Sequence, residues 1–101
     1  MSTPAEHPRH RLDDLVHSPV RFSIMAALAG AESLDFKDLR DTIQVSDSVL
    51  SKQLAILEKA GYVKIRKSFA GKMPRTSANV TAVGRAAWDG HLQTLRDIAG
   101  G

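Results

Sequence analysis

Near residue 61 the hydrophobic pattern changes period, and this change limits what the chain can fold into. Upstream, apolar residues recur every three to four positions, as on helices; after Gly61 they alternate. In Tyr62-Val63-Lys64-Ile65-Arg66-Lys67, Val63 and Ile65 point one way while Lys64 and Arg66 point the other, as on a half-buried strand. Ser68 to Pro74 contains Gly71 and Pro74 and reads as a loop. Thr76 to Val80 is a second short strand rich in β-branched and small residues, so residues 62–80 are expected to form a hairpin. At 101 residues the chain fits one small domain with one core, and 43% apolar residues suffice to build it.

Helices are expected on both sides of this hairpin. Residues 1–11 carry two prolines, two histidines and no apolar period, and read as a flexible N-terminal arm. Leu12, Leu15 and Val16 begin a short helical pattern that Pro19 interrupts. Ser18-Pro19 then starts a helix, the serine oxygen accepting an orphan N–H and proline fitting the first turn, and Gly30 stops it. Glu32-Ser33-Leu34 reads as a connector, with one or two extended residues expected at Leu34. Asp35 is expected to cap a second helix from Phe36 to about Thr42, with Phe36, Leu39 and Ile43 on one stripe. A tight turn at Ile43-Gln44-Val45 leads to Ser46, the N-cap of a third helix over Asp47–Ala60. There Leu50, Leu54 and Leu57 share a face, and Gly61 ends the helix. Thr81 caps a last helix whose apolar stripe is Trp88, Leu92, Leu95 and Ala99, with Ile98 alongside. The fold class is therefore α+β, mostly α.

The formal charge of +3 hides an uneven distribution. From Lys59 through Trp88 there are seven bases and no acid. The other residues hold seven bases against all eleven acids, a net of −4. Such asymmetry points to a polyanionic partner, the plainer alternative being a solvated basic face. With Leu54 as the buried direction, steps of about 100° put Ser48, Lys52, Ala55 and Lys59 on the outer side of the third helix. Ser51 and Asp47 flank them on one edge, Val49 and Ile56 on the other. Asp47 in the first turn is read as a helix-dipole residue. A helix ~10–12 Å across with so small and polar a face can enter a DNA major groove ~12 Å wide. Lys52 can reach a guanine edge or a phosphate, Ser48 and Ser51 can bond bases or phosphates, and Val49 can touch a thymine methyl. The hairpin adds Lys64, Arg66 and Lys67 on its stem and Lys72 and Arg75 about its loop, placed to follow phosphates or dip into the minor groove.

At these residues the chain resembles the winged helix-turn-helix transcriptional regulators of the MarR/ArsR type. The resemblance covers about residues 12–99. It is carried by HSPVRFSIMAAL at 17–28, SDSVLSKQLAILEKAGYVKIRK at 46–67, GKMPRT at 71–76 and VTAVGR at 80–85. It implies a winged helix DNA-binding domain over 12–99, with a two-stranded wing and N- and C-terminal dimerisation helices. It also implies DNA reading by Ser46, Ser48, Val49, Ser51 and Lys52, wing contacts by Lys72 and Arg75, and repression of transcription by a homodimer. Two departures stand out. The turn between the helices usually carries glycine, whereas Gln44 stands here, at a cost of up to ~1 kcal/mol if that residue must be left-handed. The cysteine motif of the metal-sensing branch is absent, since the chain has no cysteine.

Other functions find little support in the sequence. There is no Gly-rich phosphate loop, paired-carboxylate spacing or Ser/His/Asp set, so no enzyme and no cofactor are expected. His7, His10, His17 and His91 are not paired at ligand spacing on one helix, so no metal is expected either. Lack of cysteine suits a reducing cytoplasm, the polar N-terminus does not read as a secretory signal, and the apolar runs fall far below the ~20 residues of a membrane span. The 3–4 spacing of Trp88, Leu92 and Leu95 suggests a dimer seam shared with Leu12, Leu15 and Val16, rather than a helix packed wholly on its own core. A small-molecule effector is compatible with the sequence but not named by it. The rival reading is a winged-helix adaptor that binds proteins and leaves DNA alone.

Overall fold

The computed structural model describes residues 6–100. A 3-10 turn at Pro8–Arg11 is followed by α1 (Pro19–Ala29), β1 (Leu34–Asp35), α2 (Phe36–Ile43) and α3 (Asp47–Lys59). The chain continues through β2 (Val63–Ala70), β3 (Met73–Val80) and α4 (Ala82–Gly100). The sheet is antiparallel in the order β1-β3-β2, so the expected hairpin gains a short third strand at Leu34. Beneath it the helices bury one core: Ile24, Met25 and Leu28 of α1, Leu39 of α2, and Leu50, Leu54 and Leu57 of α3. Val63 and Ala78 close it from the sheet and Trp88 from α4.

The hairpin is longer than the sequence suggests. Ser68 to Pro74 is not a loop: β2 runs on to Ala70, β3 begins at Met73, and only Gly71 and Lys72 turn the chain. Gly71 has φ +65° while Lys72 keeps a negative φ, the sign pattern of a type II′ turn, whose twist suits a two-residue hairpin. Pro74 is tolerated in β3 because β1 reaches only Ser77 and Ala78, which leaves the outer edge at Pro74 open to solvent.

The N-terminal segment also departs from expectation. No helix forms over Leu12 to Val16. Instead the Asp13 carboxylate accepts from the backbone N–H groups of Leu15 at 2.9 Å and Val16 at 3.2 Å, a side-chain-closed turn that competes with helix. Val16 is fully buried in the core. Of the expected arm, residues 1–5 lie outside the described residues, while Pro8–Arg11 form the 3-10 turn and Arg11 pairs with Asp97 of α4 at 2.8 Å. Two expected caps are also missing. Ser18 and Asp35 hold the N-cap positions of α1 and α2 but make no side-chain capping bond. Asp35 turns instead toward Arg75.

Backbone contact joins the start of α4 to the base of the hairpin. The Thr81 hydroxyl donates to the Gly61 carbonyl at 2.6 Å and accepts from the Gly84 N–H at 2.9 Å, which makes it the N-cap of α4. The Thr81 N–H donates to the Tyr62 carbonyl at 3.0 Å. Gly84 then passes so close that a Cβ there would lie 2.0 Å from the Tyr62 carbonyl oxygen. The obstacle is backbone, so it cannot swing aside. Gly84→Ala is therefore expected to destabilise the protein by about 2 kcal/mol or more, read as a lower urea midpoint.

His91 on α4 is 1% exposed and accepts at Nδ1 from the Asp13 N–H at 3.2 Å. Its proton must then sit on Nε2, which is buried without a partner. Burial lowers its pKa below the usual 6.5; nearby His17 adds to the depression and Asp13 opposes it. The unfolded chain thus binds a proton here more readily than the fold does. The resulting stability is fully present above pH 6.5 and is lost as pH falls below that value toward the folded pKa. Between about pH 7 and about pH 5 the urea midpoint of the wild type should fall further than that of His91→Gln; parallel curves would reject the assignment.

Candidate nucleic-acid interface

The turn between α2 and α3 sets the exposed helix at its angle. Gln44 adopts the left-handed conformation, φ 57° and ψ 55°, at the end of α2. Arg40 reaches across the turn from α2, bonding Asp47 at 2.8 Å and Asp41 at 3.0 Å. Asp47 sits in the first turn of α3, as expected for a dipole residue, but its carboxylate is also occupied by Arg40. Ser46 caps α3, its hydroxyl accepting from the Val49 N–H at 3.2 Å and lying 3.2 Å from the Ser48 hydroxyl.

Leu50, Leu54 and Leu57 are buried to within 2% exposure, which fixes the rotation of α3 about its axis. Ser48, Ser51, Lys52, Ala55 and Lys59 are consequently exposed, and Val49 stands 38% exposed beside them. All five residues expected to read DNA from this helix and its cap, Ser46, Ser48, Val49, Ser51 and Lys52, therefore lie on its open side. Arg21 ties the helix down from behind: it bonds Gln53 at 2.7 Å and also the Leu15 carbonyl. No motif in the sequence announced that brace, because its partners lie far apart in the chain.

The hairpin divides its basic residues between two faces. Val63, Ile65, Lys67 and Phe69 alternate onto one face with Thr76 opposite Lys67. A groove of about 330 Å³ between this face and α3 is lined by Phe36, Ser51, Leu54, Ile65, Lys67 and Thr76. Arg66 is on the other face, opposite Ser77 and beside Glu32, Ser33 and Asn79. Lys67, not Arg66, thus shares a groove with α3. Counting alternate residues from Val63 would have found it. Arg75 is drawn aside to Asp35 of β1, 3.4 Å away. Among the described residues Lys52, Lys64, Lys67 and Lys72 have no acidic partner.

The expected dimer seam is split in the same way. Val16 and Trp88 belong to the chain's own core, where the Trp88 ring packs 4.8 Å from that of Phe22. Leu12, Leu15, Leu92 and Leu95 are half-buried, and Ile98 is exposed. Among the described residues no group of His, Asp or Glu could hold a metal ion, and no helix is long and apolar enough to cross a membrane.

A helix pair joined by a tight turn, with a basic hairpin beside the second helix, is the architecture of a winged helix. The family model for the winged helix DNA-binding domain matches residues 20–99, and the chain belongs to that family. It is 28% identical over 85 residues to an uncharacterized protein of Methanocaldococcus jannaschii, covering 84% of this chain and 92% of that one. Among solved structures it resembles a transcriptional regulator homologue from Pyrococcus horikoshii, with 26% identity, a TM-score of 0.81 and 85% of each chain covered. A MarR-family regulator from Enterococcus faecalis shares the fold at a TM-score of 0.72 and 23% identity, with 85% of this chain and 76% of that one covered. The fold is that of MarR-type regulators.

The left-handed Gln44 carries a strain that glycine would not. Gln44→Gly should raise stability by up to ~1 kcal/mol, the gain being trimmed by glycine's greater freedom when unfolded. A thermal or urea midpoint measures it, and an unchanged or lower midpoint would show that Gln44 makes compensating contacts.

Proposed function

We propose that this protein is a sequence-specific double-stranded DNA-binding regulator of transcription. In this reading α3 lies in the major groove and the basic wing follows the adjacent backbone or minor groove. The observation that supports it most is the open face of α3. It is built of small and polar side chains around Lys52, and Lys67 and Lys72 stand unpaired on the neighbouring hairpin. Lys52 and Ser51 would meet base edges, Ser46 and Ser48 bases or phosphates, and Val49 a thymine methyl. Lys67 and Lys72 would meet phosphates, which position the domain without reading sequence. Arg75 would do so only on leaving Asp35.

Pairing of two copies doubles the bases read, and the half-buried Leu92 and Leu95 with Leu12 and Leu15 supply the apolar residues for it. Repression follows most simply, because occupying a promoter suffices to block it. Binding should be visible on random duplex at ~50 mM salt, in the micromolar range, and log affinity should fall with log salt at a slope of roughly −5 if about six phosphates are engaged. Lys52→Ala should lower discrimination between a selected site and random duplex, whereas Lys72→Ala should weaken both about equally. If no duplex binds at low salt, the adaptor reading takes its place.

A further inference from the structure

The wing ends in two large apolar side chains that have no core to pack on. Phe69 is 73% exposed and Met73 70% exposed. They occupy the last two rungs of the ladder, Phe69 opposite Pro74 and one residue short of the turn at Gly71-Lys72, Met73 opposite Ala70 and directly after it. Alternation puts Phe69 on the face of Val63, Ile65 and Lys67, the face that borders α3, and Met73 on the reverse. The tip therefore offers an apolar side chain on each side and a lysine at its apex.

Its surroundings select the partner. Lys67 and Lys72 flank Phe69 without acidic partners among the described residues, and residues 59–88 contain no acid at all. An apolar tip flanked by two unpaired lysines suits a surface whose rim is anionic and whose interior is apolar. The DNA minor groove, with stacked bases below two phosphate backbones, has that build. The reach also fits. Ile65 borders the α3 groove, and four residues of strand carry the chain ~13 Å from there to Phe69. The minor groove beside an occupied major groove lies half a helical turn away, ~17 Å.

We propose that Phe69, backed by Met73, is a wedge that enters this minor groove, partly unstacks one base step and bends the duplex, while Lys67 and Lys72 hold the flanking phosphates. The proposal rests on the reading that α3 occupies the major groove. It adds a source of selectivity without base contacts, because pyrimidine–purine steps unstack most easily. Bound sites should then carry such a step at a fixed distance from the bases that α3 reads.

The test uses the full-length protein and a duplex selected from a random pool. One copy of the duplex carries 2-aminopurine at the flanking pyrimidine–purine step, and another carries a donor and an acceptor dye at its ends. Wild type should brighten the 2-aminopurine and bring the ends closer together. Phe69→Ser, whose unaltered melting temperature would confirm its fold, should lose both signals and bind about tenfold more weakly at an unchanged salt slope. Lys72→Ala should keep the brightening and reduce the slope by about one. A Phe69→Ser protein that binds and bends DNA like wild type would overturn the wedge and leave the major-groove reading intact. So would a bound duplex that stays straight and dark. Failure of the wild type to bind any duplex would overturn that reading itself. If Phe69→Ser instead abolished sedimentation with phosphatidylglycerol vesicles and left DNA binding untouched, the tip would belong to a lipid surface and the wedge would be rejected.

Discussion

Thr81 and Gly84 hold the first turn of α4 in backbone contact with Gly61 and Tyr62, the residues that lead from α3 into β2. Three elements meet there, and the position of each depends on the others. The close approach is possible only because Gly84 lacks a Cβ, and it is held by a threonine that bonds in two directions at once. Because the hairpin is anchored at this base, its free end can project far beyond the core and keep a defined direction. In the proposed reading, where helix and wing meet one duplex, that direction decides whether both can be engaged.

A second junction lies beside the first. Asp13 accepts from Leu15 and Val16 and from the Tyr62 hydroxyl at 2.6 Å, and its own N–H donates to His91. The carboxylate so favours the protonated phenol that the Tyr62 pKa is pushed up to about 12. One acidic residue thereby ties the N-terminal segment, α4 and the base of β2 together, with Val16 sealed beneath it. Residues 11–18 are thus a structural part of the domain. Arg11 with Asp97 and Arg21 with Gln53 extend the same tie along α4 and to α3.

How far the sequence could be read varied with the physical origin of each feature. The third helix was legible in full because its three leucines repeat at helical spacing and its serine cap is local. The wing's length was not. Residues 68 to 74 are exposed, so no alternation marks them as strand, and what holds them is backbone pairing across the turn. Ser18 and Asp35 have the right chemistry for caps, but a cap is a contact and not a composition. Val16 and Trp88, on the stripe expected to pair two copies, lie in the chain's own core for a related reason. Apolar spacing marks a residue for burial without saying which surface will bury it.

The order of helices and strands from α1 onward, the open face of α3 and the separation of charge along the chain all follow from the sequence by itself. Each depends on neighbours within one or two turns, where periodicity and capping act. Only the tertiary structure decided that α3 packs beside the Val63 face of the hairpin, that Arg75 is engaged by Asp35, and that Phe69 and Met73 end unpartnered at the wing tip. Those outcomes depend on strand register and on contacts between residues up to dozens of positions apart. Local pattern carries no record of them, since the free energy that selects them exists only once the core has closed.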